Sequence, residues 1–128
     1  MGNTVTETIV VNQLVVGGNV RTENAKPTTA VAYKRGDLVH VDANNVVTHP
    51  TFTGDALGAW EAIVVQDFSI QQSTYHAANN IEMPLYVQGA FDVAVVTVKG
   101  VALTTAQMDS VRAQALKNKI ELRKVVGN

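Results

Sequence analysis

The sequence predicts a mainly β (α+β) fold: a small β-rich, sandwich- or barrel-like domain with one short α-helix and an extended N-terminal arm. Three observations lead there. Valine is abundant while aromatics make up only 5% of the 128 residues, so the core is built from β-branched side chains that suit a pleated surface. Two stretches, 60–68 and 84–98, alternate with the period of a strand. A single segment, beginning at Thr104, opens with a helix-capping signature. The hydrophobic fraction of 46% suffices for a core, and a chain of this length predicts one domain.

Residues 4–16, TVTETIVVNQLVV, form a β-prone run with no evident partner strand nearby. Its apolar members are Val5, Ile9, Val10, Val11, Leu14, Val15 and Val16. An unpaired strand of this kind invites aggregation, so its side chains imply a partner reached by strand addition. Gly17-Gly18-Asn19 breaks the run, and Arg21–Thr29 is polar and includes Pro27. The expected organisation is an arm and linker over 1–29 and a β-rich domain over 30–128. The opening Met-Gly-Asn-Thr-Val-Thr also fits an N-myristoylation pattern, with Gly2 as acceptor and Thr6 in the favoured place. The plain reading is a glycine after the first methionine in a flexible terminus, and no second membrane signal follows it.

Lys34-Arg35-Gly36-Asp37 contains the tripeptide by which adhesion ligands engage integrins. Here it runs straight into an apolar strand, so it reads as a polar turn that launches a hairpin, with Gly36 supplying backbone freedom. Leu38–Asp42 and Val46–Thr48 are the hairpin strands, and Asn44-Asn45 tolerates the left-handed turn between them. In WEAIVVQDF (60–68) the alternation sets Trp60, Ala62, Val64 and Phe68 on one face, with Glu61, Ile63, Val65 and Asp67 on the other. PLYVQGAFDVAVVTV (84–98) is the longest strand signal, with both faces nearly apolar from Ala94 to Val98, as in a strand covered on both sides. Lys99-Gly100 is the turn that follows.

Thr104-Thr105-Ala106-Gln107 is a capping box, with Leu103 and Met108 at the flanking staple positions. Met108, Val111, Ala115 and Leu116 then share a helix face, and Lys117 and Lys119 meet the negative end of the dipole. After Asn118, KIELRKVV resumes alternation as a closing strand.

The net charge is −1, yet between Gly36 and Val98 there are seven acids and no lysine or arginine. Arg112, Lys117, Lys119, Arg123 and Lys124 crowd the last third. A neutral total argues against nucleic-acid binding, which needs a basic excess; separated signs suit docking on protein surfaces. There is no cysteine, which removes disulfides and thiolate chemistry. No apolar run reaches the roughly 18 residues of a membrane helix. His40, His49 and His76 do not stand at metal-ligand spacing, and His40, in strand alternation, reads as a packed or surface imidazole. Glu61, Asp67 and Asp92 read as solvated strand positions. No nucleophile elbow or phosphate loop occurs. The expectation is no enzyme, no cofactor and no metal.

The order of elements (arm, hairpin, GDALGAWEAIVVQDFSI, EMPLYVQGAFDVAVV, capped helix, basic KIELRKV strand) resembles the lambda-type bacteriophage head decoration proteins, small proteins that cement capsids. The corresponding stretches are Gly58–Phe68, Pro84–Phe91, Thr104–Asn118 and Ile120–Arg123, and the similarity runs from Ala32 to Val126. The resemblance implies a β-rich fold with little helix and homotrimers above local three-fold axes of an expanded capsid. It also implies an N-terminal arm, here Val5, Ile9, Val10, Val11, Leu14, Val15 and Val16, that contacts the major capsid protein. The location implied is the outer capsid surface of the virion, after synthesis in the host cytoplasm, without nucleic-acid or membrane partners. This chain departs in its longer, more strand-like arm and in Asp92. The alternatives are a host-surface or glycan-binding module displayed on the virion, and a small β-barrel hydrolase, for which no nucleophile and base are visible.

Overall fold

The computed structural model describes residues 13–125. Its fold is mainly β with two helices. The strands are β1 (Val15–Pro27), β2 (Leu38–Val41), β3 (Val46–Thr48), β4 (Phe52–Thr53), β5 (Ala56–Leu57), β6 (Ala62–Val64), β7 (Met83–Asp92), β8 (Thr97–Val98), β9 (Val101–Ala102) and β10 (Ile120–Arg123); the helices are α1 (Ile70–Ala78) and α2 (Thr105–Ala115).

The pairings close a small barrel. The sheet runs β1-β3-β2-β6-β7-β10, and β1 pairs with β7 as well, so β1, β3, β2, β6 and β7 form a ring. Closure removes sheet edges. β10 lies outside the ring, parallel to the second half of β7 from Gly89 to Asp92. A parallel neighbour needs a crossover, and β8, β9 and α2 supply it.

The strands at the centre of the sheet, β6 and the second half of β7, are buried on both faces, whereas most of β1 is exposed. Ala25, Val39, Val47, Ala62, Val64, Met83 and Leu85 form one cluster with Tyr33 and Phe68. Leu38, Ile63 and Phe91 join Trp60, Val111, Ala115, Ile120 and Leu122 in the other. Adjacent residues Ala62 and Ile63 thus serve opposite cores. The alternation read from 60–68 has the right phase for Ala62, Val64 and Phe68 against Ile63. Trp60, which precedes β6, instead packs with Ile63 in the second cluster, and that face is covered by α2 and β10 rather than by water.

Several expectations need correction. Residues 15–29 are not a linker. β1 spans the glycines and Pro27, and it runs antiparallel to β7 from Val15↔Phe91 to Ala25↔Met83. Gly17 and Gly18 make an irregularity inside the strand instead of ending it. A Cβ on Gly18 would stand 3.1 Å from the Ala90 amide, at a φ of +77°, so only glycine allows this close approach. The strand signal of 84–98 stops at Asp92, because the Asp92 Oδ1 accepts from the Ala94 amide at 2.9 Å and the chain turns there, as Asx side chains favour. Val93, Val96 and Val98 are buried in the turn and in β8, which explains the apolar run.

The second helix, α1, is absent from the sequence reading. Its N-terminus carries the same signature as α2: Ser69 accepts from the Gln72 amide and Gln72 reaches back to the Ser69 amide. Its only buried residue is Ser73, so hydrophobic periodicity was silent. The helix docks through hydroxyls, with the Ala30 amide donating to Thr74 Oγ1 and the Val31 amide to Ser73 Oγ. In α2, Val111 and Ala115 face the core as expected, whereas Leu116 is 85% exposed.

Candidate interaction surface

Of the predicted arm residues, Val5, Ile9, Val10 and Val11 lie outside the described residues. The other three root the arm. Leu14 is 3% exposed and sits in the larger core cluster; its carbonyl accepts from the Asp92 amide at 2.9 Å. Val15 faces Phe91 across β1 and β7, and Val15 and Val16 are half-buried. These three therefore belong to the domain, and Leu14 in particular is withdrawn from any partner. The physical reason is the partner strand: β7 follows seventy residues later, where local sequence gives no sign of it.

A hollow of about 650 Å³ opens beside this root, lined by Gln13, Leu14, Lys34, Arg35, Asp67 and Val95 among others. Lys34 and Arg35, at the start of the adhesion-like turn, form part of its wall. Arg35 is strapped down: its amide donates to Asp67 Oδ1 at 2.8 Å, and Nη1 donates to the Val65 carbonyl at 2.8 Å and to Tyr86 Oη at 3.1 Å. Gly36 holds φ +99° with its Cα face against Val95 and Leu14. Asp37 is 1% exposed. Its Oδ1 accepts from Thr97 Oγ1 and from the Gly100 amide, and its Oδ2 accepts from the Lys34 amide. The carboxylate that an adhesion ligand must present is thus buried and committed. Asp37 ties the start of β2 to the β8–β9 hairpin.

The remaining polar candidates also resolve into structural roles. Asp92 is fully buried and holds the turn after β7, so it is not a solvated strand residue. Glu61 stays at the surface, with Oε1 2.9 Å from His40 Nδ1 and Oε2 accepting from the Val41 amide at 2.6 Å. His49 reaches the Ala32 carbonyl with Nε2 at 2.9 Å and lies against Tyr33. His76 meets the Phe68 ring edge-on. The three imidazoles stand apart, and among the described residues no three His, Asp or Glu side chains gather to hold a metal ion. Tyr33 donates to the Val47 carbonyl at 2.7 Å and accepts from the Thr28 amide at 2.9 Å. Burial pushes its hydroxyl above the usual phenol range, partly offset by the Thr28 bonds. On β10, a hydrogen bond from Arg123 holds the Glu121 carboxyl below its ordinary range.

No helix of the described residues is long and apolar enough to cross a membrane. No protein-family model matches the chain, and no curated protein matches it.

Proposed function

We propose that this chain is a structural virion protein that binds the outer surface of an expanded bacteriophage capsid and stabilises it by bridging major capsid protein subunits, assembled as a homotrimer over local three-fold axes. The reading rests on the sequence resemblance given above. One structural observation supports it most: the root of the arm is fixed in the core. Leu14 is buried and bonded to Asp92, so the apolar segment with Val5, Ile9, Val10 and Val11 departs from a defined point on a closed barrel. A segment held this way transmits its partner's pull into the ladder between β1 and β7.

The test is co-sedimentation with empty expanded heads, beside a thermal melt. Removing residues 1–12 is expected to leave the domain folded, with a cooperative melt, and to lose most capsid binding. A longer deletion would cut into Leu14 and β1 and report only on folding. Full binding by the shortened protein would overturn the role of the arm.

A further inference from the structure

Among the described residues β10 ends the sheet, with β7 as its only strand neighbour. The Gly89 amide donates to the Lys119 carbonyl and the Val93 amide to the Arg123 carbonyl. Residues 119, 121 and 123 therefore turn their backbone groups toward β7, and Ile120 and Leu122 turn theirs to the open side. Arg112 Nε caps the Leu122 carbonyl at 2.9 Å. Beside this edge runs a groove of about 670 Å³ between α2 and β10, walled by Arg112, Ala113 and Leu116 on the helix side and by Lys119–Leu122 on the strand side. Leu116, 85% exposed, stands at its rim. A strand edge beside a helix suits an extended segment: main-chain bonds along the edge give affinity, and alternate side chains rest on the helix.

We propose that this groove takes residues Thr4–Val11 of a second copy of this chain as an added strand along β10. Apart from Glu7, every residue of that segment is Val, Ile or Thr, a composition made for strand pairing. Glu7 also finds a complementary charge. The groove carboxylates are already paired, Asp109 with Lys124 and Glu121 with Arg123, while Lys119 and Arg112 make no ion pair among the described residues.

Chain length selects the donor. Leu14 is fixed on the far side of β7, so a copy's own arm must pass β7 and β10 to reach the open edge. That is three strand spacings, about 14 Å, or about four or five extended residues. The crossing would consume Ile9–Gln13, the most apolar part of the arm. A neighbour's arm brings Ile9–Val11 to the groove intact. The contact is heterologous, arm of one copy on edge of the next, so it propagates until a ring closes. It is a property of the free protein and does not rest on the capsid reading, under which the arm would leave this groove for the capsid protein on docking.

The chain has no cysteine, which makes single thiols clean probes. Full-length Glu121→Cys is mixed with each of six single cysteine variants at Thr6–Val11, oxidised, and run without reductant. Covalent heterodimers are expected at alternate arm positions, because opposed strand residues bring their Cβ atoms within about 4.5–5.5 Å. Leu116→Glu added to the Glu121→Cys protein should abolish these links. In the otherwise natural chain Leu116→Glu should turn the sedimenting oligomer into a folded monomer whose melting temperature no longer depends on protein concentration. A monomeric natural protein, links at every position without alternation, no links, or assembly unaffected by Leu116→Glu would each overturn the proposal. In a chain carrying both thiols, Glu121→Cys with one arm cysteine, linking confined to single molecules would overturn it as well.

Discussion

Asp37→Ala is expected to destabilise the domain by about 3–4 kcal/mol. A hydrogen bond to a charged acceptor contributes about 1.5–3 kcal/mol, and Asp37 accepts from Lys34, Thr97 and Gly100, a gross loss of about 5–9 kcal/mol by the same scale. Two corrections lower that figure. Lys34 is exposed and Gly100 half-buried, so water can replace the carboxylate at both amides. Removing Asp37 also relieves the cost of holding a charge in the interior. The Thr97 hydroxyl, 5% exposed, is left stranded, and its desolvation is not recovered. Urea denaturation of the full chain measures the result, with Thr97→Val and the double variant completing a cycle. Thr97→Val alone should cost about 1–2 kcal/mol, and the pair should be coupled by a similar amount. A loss under about 1 kcal/mol for Asp37→Ala, or simple additivity, would refute the reasoning. Asp37→Glu adds a second discrimination. An adhesive tripeptide would lose cell attachment at constant stability, whereas a structural carboxylate loses stability with no attachment to lose.

In α2, Thr104→Ala should cost about 1 kcal/mol through the lost cap bond, and Val111→Asp, fully buried, about 4 kcal/mol or more; equal small losses in urea would remove Val111 from the core. Gly18→Ala combines a left-handed φ with a clash at the Ala90 amide and should cost about 2–3 kcal/mol. Gly54→Ala, with φ +63° and open space around it, should cost about 1 kcal/mol, so equal losses would contradict the close approach of β1 to β7. Tyr33 gives a pH signature. Its folded pKa is raised from 10.0, so the folded state retains a proton that the unfolded chain releases first. Stability from this source is whole below pH 10 and falls as pH rises above it. Tyr33→Phe should flatten that alkaline slope in melts taken across pH 9–11, and an unchanged slope would exclude Tyr33 as its source.

Where pattern and partner are local, the sequence was legible. The β2–β3 hairpin emerged with its turn, and Asn45 takes the left-handed φ of +63° foreseen for that dipeptide. The α2 capping box and β10 emerged for the same reason. What failed was non-local. β1 looks like a linker because its outward residues Arg21–Asn24 are polar, and only pairing with β7 reveals a strand. Pro27 is tolerated because it ends that strand. α1 escaped because hydroxyls, not apolar side chains, attach it, although Ser69 and Gln72 announce its start as plainly as Thr104 and Gln107 announce α2. At the candidate surface, the apolar arm was visible but its root was not: whether Leu14 is arm or core depends on Asp92, which is seventy-eight residues away. The burial of Asp37 and Asp92 was likewise hidden, since a carboxylate's default is the surface and only folded geometry supplies its donors.

The arm root and the adhesion-like turn are parts of one structure. Leu14 packs against Gly36, whose amide donates to the Val64 carbonyl at 2.9 Å and whose carbonyl accepts from the Thr97 amide at 3.0 Å. The next residue, Asp37, grips Thr97 by its hydroxyl and holds Gly100 in the β8–β9 turn. Asp92, which anchors Leu14 by its amide, also shapes the turn whose Val95 carbonyl closes over Gly36. A pull on the arm along β1 loads the antiparallel ladder with β7 in shear, so its bonds share the force instead of failing one by one. The weak direction is outward from the sheet at Leu14, and there the Gly36–Asp37 turn and the Asp92 turn brace the strand from both sides. Lys34-Arg35-Gly36-Asp37 is therefore a brace behind Leu14: Arg35 is tied to Asp67, Val65 and Tyr86, and the Asp37 carboxylate to the Lys34 and Gly100 amides and the Thr97 hydroxyl.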